Sequence, residues 1–440
     1  MDDVYKKNYD VLVIGGGPAG TTIASLLAQK GRDVCLVEKS YHPRFHIGES
    51  LLPMNLPILE KLGVLEQVDA IGVKKYAAEF NSLVTDPAQD VFYFSKAANK
   101  NHPYAYQVRR SEFDQILFTN CQAVGVTTFE GMTVLQADLS GCLKKIRVHG
   151  GNDKEHEFTG RFLVDASGRD TVLARQLNSK RKNTQHQMSA IYGHFRDVKR
   201  RTGKDEGNIS IYWFEHGWIW MIPLQEEVMS VGFVCWPRYL KTRNSSLEIF
   251  LQQTLNSVPE INERMLEACL DGHVHATGNY SYCSDVMSGD GFLLIGDAYA
   301  FVDPVFSSGV YLAMQSAVRG ADLVDQLLNQ ASSKKQEGKL IAQFEASIEQ
   351  EIKAFCWFIY RFNSPALHKL LMSSDEASQH PVKQKLKTAV ISVLAGDAYN
   401  NKQIRFPLWA FKLLYKINYY LDFKENSLYT KFKKLQSSDG

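Results

Sequence analysis

The sequence of 440 residues predicts an α/β fold that combines a parallel sheet, an inserted and mostly antiparallel sheet, and a helical C-terminal region. Three observations support this prediction. A strand–turn–helix–strand unit occupies residues 9–38, short strand-like segments follow one another over residues 188–236, and helical periodicity begins near Ser307. At this length we expect more than one packed unit.

The N-terminal unit has the pattern of a β-α-β crossover. Tyr9–Ile14 and Val34–Val37 are short apolar runs typical of buried strands, and residues 21–28 between them have helical character. Gly31 marks the end of that helix. A crossover at this point predicts the first strands of a parallel sheet.

The turn inside this unit reads Gly-Gly-Gly-Pro-Ala-Gly over residues 15–20 and satisfies the GxGxxG pattern. Gly15 permits a tight turn, Gly17 lets the backbone approach a pyrophosphate, and Gly20 lets the helix pack closely on the strand. The pyrophosphate then meets the positive end of the helix. Glu38 ends the second strand, where a carboxylate can hold ribose hydroxyls. The unit therefore predicts a dinucleotide cofactor, and the pattern alone serves FAD and NAD equally.

Three later segments distinguish the two cofactors by resemblance. Residues 293–298 place Gly296-Asp297 after an apolar strand, residues 165–168 read Asp-Ala-Ser-Gly, and residues 108–114 contain Arg110. In this order they resemble the FAD-dependent monooxygenases of the para-hydroxybenzoate hydroxylase-like fold, over about residues 9–330. The resemblance implies FAD, with Asp297 at the ribityl chain and Arg110 near the cofactor. The implied cofactor-binding residues are Gly15, Gly17, Ala19, Gly20, Glu38, Arg44, Gly48, Glu49, Ser50, Arg110, Asp165, Gly296, Asp297 and Gly309.

A tryptophan pair narrows the resemblance further. Residues 217–223 read Gly-Trp-Ile-Trp-Met-Ile-Pro, and two alternating tryptophans by themselves also fit one face of a core strand. The pattern Trp-x-Trp-x-Ile-Pro resembles the signature of the flavin-dependent halogenases. In that family these rings separate the flavin from the organic substrate, which implies this position for Trp218, Trp220 and Pro223.

The segment Phe301–Val310 resembles the halogenase stretch that holds halide beside the flavin. The backbone N–H groups of Ser308 and Gly309, at a turn that opens a helix, would form an anion-binding nest. The alternative is a glycine-bearing helix start that only contacts the flavin, as in hydroxylases. The segment alone does not separate the two.

The stretch Val73–Phe80 resembles the family segment that carries an essential lysine, and its spacing favours Lys75 over Lys74. Without the resemblance, both lysines would be read as surface residues. The resemblance implies that FADH2, O2 and chloride or bromide yield hypohalous acid, which Lys75 relays to the substrate. The stretch Phe45–Pro53, with its Gly-Glu-Ser, matches a family loop near the isoalloxazine ring.

Phe306 marks a departure from the tryptophan halogenases, which carry a glutamate at the corresponding position. Lack of that carboxylate implies a ring that is already electron-rich. The favoured substrate is a pyrrolyl group on a carrier protein, followed by a free phenol. Residues 394–399 are also similar to the group that halogenates such substrates.

The composition limits the kinds of partner that the protein is expected to bind. With 50 basic and 48 acidic residues the net charge is +2, which predicts no nucleic-acid binding. No apolar run is long enough to span a bilayer, and the acidic start lacks a signal-peptide pattern. Seven scattered cysteines fit reduced thiols in the cytoplasm and no metal site. We expect a separate flavin reductase to supply FADH2. The oligomeric state is not readable.

The expected organisation is an FAD-binding part at residues 1–185 and 286–330, a β-rich substrate domain at 186–285, and a helical cap at 331–440. The aromatic residues from Phe355 to Phe362 are expected to lie mainly in the core. The segment Phe406–Phe423, with Lys412 and Lys416 among apolar residues, has the pattern of an amphipathic surface helix. It would dock an acidic carrier protein or bind a membrane surface, and the low net charge gives the membrane alternative no support.

Three other functions remain open from the sequence. They are a single-component FAD aromatic hydroxylase, a polyprenyl reductase acting at a membrane, and a flavin-binding redox sensor without enzyme activity. The tryptophan pair and Lys75 together favour the halogenase.

Overall fold

The computed structural model describes residues 8–82, 89–150, 154–184, 186–278, 281–329, 333–372, 380–398, 401–422 and 426–430. The strands are β1 Asn8–Ile14, β2 Val34–Val37, β3 Val73–Lys75, β4 Ala77–Asn81, β5 Gln89–Tyr93, β6 Ala105–Gln107, β7 Thr127–Phe129, β8 Thr133–Asp138, β9 Lys144–His149, β10 Glu155–Asp165, β11 Lys180–Lys182, β12 Ser189–Arg196, β13 Ile209–Phe214, β14 Gly217–Pro223, β15 Val228–Cys235, β16 Cys269–Thr277, β17 Tyr282–Ser284, β18 Ser288–Gly289, β19 Phe292–Leu294 and β20 Ala300–Phe301. The α-helices are α1 Pro18–Gln29, α2 Leu56–Leu62, α3 Leu65–Ile71, α4 Arg110–Ala123, α5 Val172–Gln176, α6 Pro237–Lys241, α7 Leu247–Asn256, α8 Pro259–Arg264, α9 Ser308–Asn329, α10 Lys334–Ile359, α11 Pro365–Leu371, α12 Pro381–Leu394 and α13 Lys402–Leu421.

The first sheet is parallel at its centre. Its strands follow the order β18, β19, β10, β1, β2, β7, with β9 and β8 paired beside β10. The strand β1 runs parallel to both β10 and β2, and β19 runs parallel to β10. Central strands of this kind are buried on both faces, and Val11, Leu12 and Val13 are fully buried. The helices α1, α4 and α9 share the same core. The predicted α/β class and parallel sheet are confirmed.

The second sheet has the order β16, β12, β15, β14, β13, β4, β5 and is antiparallel except where β13 meets β4. Its strand β14 is buried throughout. Because side chains alternate along a strand, Trp218 and Trp220 join one apolar cluster, while Ile219 and Met221 join the other. The sheet therefore lies between two apolar layers, one formed with the C-terminal helices and one with α7 and α8.

The two sheets interleave along the chain. The strands β4 and β5 come from residues 77–93, inside the stretch assigned to FAD binding from the sequence, yet they pair into the second sheet. The short strand β3 stays outside that sheet and pairs with β6. This arrangement places β3 and its Lys75 between the first sheet and the second sheet.

The C-terminal helices pack on the second sheet through aromatic side chains, as expected for Phe355, Phe358 and Phe362. Lys412, one of the two lysines of the carrier hypothesis, is half-buried, and its Nζ lies 5.2 Å from the centre of the Trp357 ring. Tyr399 and Phe423 lie outside the described residues. Across the described parts of the chain, no helix is both long and apolar enough to cross a membrane. All seven cysteines carry free thiols.

Candidate active site

A cavity of about 880 Å³ opens where the central parallel strands end and faces the tryptophan side of β14. Its volume falls in the range of small-molecule and cofactor sites, and the carboxyl ends of parallel strands are where such sites form. The sequence-predicted residues that line it are Gly15, Gly17, Ala19, Glu38, Arg44, Gly48, Glu49, Ser50, Arg110, Trp218, Trp220, Asp297 and Gly309.

Each of the three glycines of the motif has a different geometric role. Gly15 has a φ of +102°, and a Cβ there would lie 2.4 Å from the Ala166 carbonyl oxygen. A Cβ on Gly20 would lie 1.8 Å from the Gly15 carbonyl oxygen, so α1 packs on the turn only without a side chain. A Cβ on Gly17 would meet only the Arg44 side chain, at 3.7 Å, because this residue faces the cavity. The turn thus leaves a cradle for a pyrophosphate at the start of α1.

Glu38 stands at the end of β2 and faces the cavity. Its carboxylate accepts hydrogen bonds from the backbone N–H groups of Gly16, at 2.6 Å, and Ser40, at 2.9 Å. These bonds fix the carboxylate beside the glycine turn, and its free lone pairs can accept ribose hydroxyls.

Arg110 holds another part of the cavity wall in place through hydrogen bonds to Asp114 and Ile47. Its guanidinium donates to both carboxylate oxygens of Asp114, at 2.8 and 3.0 Å, and to the Ile47 carbonyl, at 2.8 Å. Burial alone would raise the pKa of Asp114, but the Arg110 guanidinium outweighs it and holds that pKa below its ordinary value. Burial, reinforced by Arg110, lowers the pKa of His46 to about 4, so this ring is neutral near pH 7.

Two carboxylates at the cavity have features that suit a flavin. Desolvation raises the pKa of Asp297 to about 7, with Arg110 and Arg169 acting against it. Glu49 is buried and meets His194 Nε2 through Oε1 at 2.7 Å. Its Oε2 is also buried, and among the described residues it meets no hydrogen-bond donor. Such an acceptor beside the cavity fits a donor group of a bound cofactor.

Some predicted residues lie behind the wall instead of on it. Asp165, expected to contact the cofactor, instead accepts from the backbone N–H groups of Ser167 and Leu173, at 2.9 and 2.7 Å, and so shapes the loop that lines the cavity. Pro223 does not line the cavity, because strand alternation turns Ile222 toward it. Gly20 and Gly296 also lie outside the lining.

Several cations of the lining were not predicted. They are Lys39, Arg169, Arg175, Lys180 and Lys182. Arg169 directly follows the Asp-Ala-Ser-Gly segment, so its position next to that motif could have indicated that it lies at the cavity. Lys39 directly follows Glu38, whereas Lys180 and Lys182 come from β11, and nothing in the β11 segment indicates that the fold brings them to the cavity.

The neighbouring lysines of β3 have opposite environments. Lys74 is about half exposed and forms an ion pair with Asp69, at 3.3 Å. Lys75 is fully buried, and its Nζ donates to Ser50 Oγ at 2.9 Å and to the Leu51 carbonyl at 3.2 Å. In the described parts of the chain no carboxylate pairs with it, and burial lowers its pKa to about 7. Since Ser50 lines the cavity, the Lys75 amine lies one hydrogen bond behind the wall.

The start of α9 has the geometry of an anion site. Ser307 has a φ of +55° and turns the chain into the helix, whose first N–H groups have no intrahelical acceptor. A Cβ built on Gly309 meets no atom within 4 Å, because this residue faces the cavity. Ser308 instead lines a smaller adjoining cavity, which Gly309 also borders.

Phe306 is buried in the apolar cluster that also contains Trp218 and Trp220. Its ring centre is 5.4 Å from that of Phe362 and 6.5 Å from that of Phe80. Phe94, whose ring centre is 5.3 Å from Lys75 Nζ, belongs to the same cluster. The Lys75 amine therefore lies between the cavity-lining Ser50 and the Phe94 ring of this cluster.

The chain matches the FAD binding domain family over residues 8–338. It is 36% identical over 326 residues to tryptophan 2-halogenase of Chondromyces crocatus, covering 72% of this chain and 61% of that protein, so it spans less than two thirds of that relative. It is 28% identical to the 1H-pyrrole-2-carbonyl-peptidyl-carrier-protein chlorinase of Pseudomonas fluorescens, over 90% of this chain and 91% of the relative. The corresponding brominase of Pseudoalteromonas luteoviolacea is 32% identical, over 73% of this chain and 79% of its own length.

Solved structures show the same fold. A flavoprotein/dehydrogenase from Cytophaga hutchinsonii aligns with a TM-score of 0.83 and 30% identity, covering 93% of this chain and 98% of that one. A myxobacterial chondrochloren halogenase, described as a variant of the FAD-dependent halogenases, aligns with a TM-score of 0.76 and 29% identity, over 94% and 98% of the two chains.

Proposed function

The chain belongs to the FAD binding domain family and, within it, to the flavin-dependent halogenases, and on this premise we propose that it halogenates an electron-rich aromatic ring through Lys75. The observation that carries the proposal is the buried Lys75 amine, which has no carboxylate partner among the described residues and donates to the cavity-lining Ser50.

FAD fits the cavity by the glycine cradle, Glu38 and the buried acceptor of Glu49. In its reduced form it would supply the two electrons with which O2, halide and a proton give hypohalous acid and water. The N–H groups at the start of α9 would hold the halide, because a helix N-terminus favours an anion.

Lys75 would control the oxidised halogen on its way to the substrate. As a neutral amine it can accept the proton of hypohalous acid in a hydrogen bond. It can also attack the halogen, forming an N–halogen bond and releasing water; the ring then takes the halogen and the amine regains a proton. A lysine with an ordinary pKa would be protonated near pH 7 and could do neither.

The neutral amine predicts a pH dependence. Because burial lowers the pKa of Lys75 to about 7, the reactive neutral form is lost as the pH falls through that value. We expect the halogenation rate to fall about tenfold per pH unit well below pH 7. Single-turnover rates with pre-reduced FAD between pH 5.5 and 8.5, an experimental range of about three units around that pKa, would measure it. A flat profile would contradict a titrating amine.

For the substrate we propose a pyrrolyl group on a carrier protein, with a free phenol as the second candidate. Two relatives are named for a pyrrole-2-carbonyl carrier substrate. Phe306, at the position where the tryptophan halogenases carry a glutamate, is a buried ring of the apolar cluster, which favours electron-rich rings. A separate flavin reductase would supply FADH2.

Mass spectrometry tests the proposal. The chain is mixed in air with chemically reduced FAD, bromide or chloride, and either a pyrrolyl-loaded carrier protein or a set of phenols. A halogen isotope pattern that requires halide supports halogenation, and the acceptor that carries it identifies the substrate class. Addition of oxygen without dependence on halide would contradict the proposal and indicate a hydroxylase.

A further inference from the structure

The helix α13 exposes an apolar face along its whole length. The buried residues Ile404, Phe411 and Tyr415 hold its inner side. The exposed large apolar residues of the outer side are Phe406, Trp409, Leu413, Leu414, Ile417, Tyr420 and Leu421. At 1.5 Å per residue the twenty residues extend about 30 Å, so the stripe is long and continuous. Exposed apolar patches of this kind mark an interaction surface.

The charges beside this stripe have one sign. Lys402, Arg405 and Lys416 are exposed on α13, and the sequence of the helix contains no acidic residue. From residue 402 to residue 434 the chain has eight basic and two acidic residues, a net charge of +6. Since the whole chain has +2, the remaining residues carry −4. Along the sequence, the positive charge is therefore concentrated in the segment that contains α13, and the exposed cations of the helix itself are Lys402, Arg405 and Lys416.

We infer that α13 lies on the surface of an anionic lipid bilayer, with its apolar stripe among the acyl chains and its cations at the headgroups. Amphipathic helices with aromatic and aliphatic residues on one face and lysine or arginine beside it bind in this way without spanning the membrane. Trp409 and Tyr420 have the amphipathic rings that favour the headgroup level.

Other occupants fit the charges and the shape less well. A second copy of the chain would bring the same cations to this face, with no acidic residue of α13 to oppose them. An acidic carrier protein would satisfy the cations, but a carrier that must leave after each turnover needs only a small contact. The exposed apolar stripe runs along α13, so the continuous apolar interior of a bilayer can cover it better than a small protein contact can. The inference is independent of the proposed halogenation.

Vesicle flotation with the full-length, FAD-loaded protein tests the inference. Vesicles of phosphatidylcholine alone are compared with vesicles that also contain phosphatidylglycerol. We expect binding to the anionic vesicles, weakening as salt is added, and much less binding to phosphatidylcholine. The double variant Phe406→Ser/Trp409→Ser should lose about tenfold or more of the binding, because two large apolar side chains no longer leave water.

Matched variants complete the test. Leu266 has the same 72% exposure as Phe406 but lies after α8, so Leu266→Ser should bind vesicles like the unaltered protein. Lys416→Glu should weaken binding to anionic vesicles, while Lys339→Glu on α10 should not. Absence of vesicle binding would overturn the inference. So would a dimer in sedimentation that Phe406→Ser dissociates, or a fall in carrier-substrate kcat/KM in the double variant without vesicle binding.

Discussion

The cavity and the aromatic cluster behind it differ in what gives each its shape. Backbone geometry shapes the glycine turn of the cavity, through Gly15 and Gly17, and a backbone N–H group orders the carboxylate of Glu38. Side chains fill the cluster, where the rings of Phe306 and Phe362 pack edge to face. The difference teaches that main-chain shape sets the glycine turn of the cavity, whereas side-chain packing sets the aromatic cluster.

Lys75 is the exception that connects the two regions. It is a fully buried amine that donates hydrogen bonds to Ser50 Oγ and the Leu51 carbonyl, with no carboxylate partner in the described segments. Burying an unpaired cation costs free energy, so a residue of this kind is expected where function requires it. Substitutions in the cavity and substitutions in the aromatic cluster should therefore impair the protein for different physical reasons.

The largest expected effect is a charge placed in the cluster. Phe306→Glu should lower the free energy of unfolding by about 4 kcal/mol or more, because ring packing is lost and a carboxyl is buried without a partner. Urea unfolding measures this. Phe306→Leu, which keeps the site apolar, should cost about 1 kcal/mol. Equal stability of Phe306→Glu and the unaltered protein would contradict a dry cluster.

The next effect concerns the glycine turn. Gly20→Ala should destabilise the protein by about 3 kcal/mol and release FAD, because its Cβ would lie 1.8 Å from the Gly15 carbonyl oxygen. Thermal unfolding and the FAD content of the purified variant measure both consequences.

Gly309→Ala is the matched control for the turn. Its Cβ meets no protein atom within 4 Å, so stability should change by less than about 1 kcal/mol. Halide should nevertheless bind more weakly, since the new methyl group would enter the space above the helix N-terminus. If both glycine variants unfolded alike, Gly309 would belong to the packed structure and not to a binding surface.

Replacing Lys75 should have a smaller effect on the free energy of unfolding, and this effect should be stabilising. Burial lowers the folded pKa to about 7, below the unfolded value, so the unfolded chain binds the proton more tightly. The resulting penalty is complete below about pH 7 and disappears as pH rises toward 10.5. Lys75→Met should therefore stabilise the protein by about 2 kcal/mol at pH 7 and by less at pH 9. Lys74→Met, at an exposed ion pair, should change stability by less than about 0.5 kcal/mol.

Much of the fold was predictable because its patterns are local. The strands β12 to β15 fall within residues 188–236, where short strand-like segments were predicted, and β14 turns its tryptophans to one side as expected. The glycine turn was equally readable, since its strand, turn and helix are contiguous.

Features that depend on distant contacts were not predictable from local patterns. The pairing of β4 with β13 joins residues far apart in the chain, and so does the arrival of Lys180 and Lys182 at the cavity. Asp165 belongs to a motif, but only its backbone partners show that it shapes a loop. The helix α13 is apolar on two sides, so the sequence could not tell which side the protein core covers.

The most direct test of the central claim is the fraction of oxidised FADH2 that appears as brominated product. FAD-loaded Lys75→Met and Lys74→Met are compared with the unaltered protein under air, reduced FAD and bromide. We predict that Lys75→Met oxidises FADH2 normally but loses at least about 100-fold in product, while Lys74→Met keeps both. Brominated product at the normal yield from Lys75→Met would contradict the claim that this buried amine delivers the halogen.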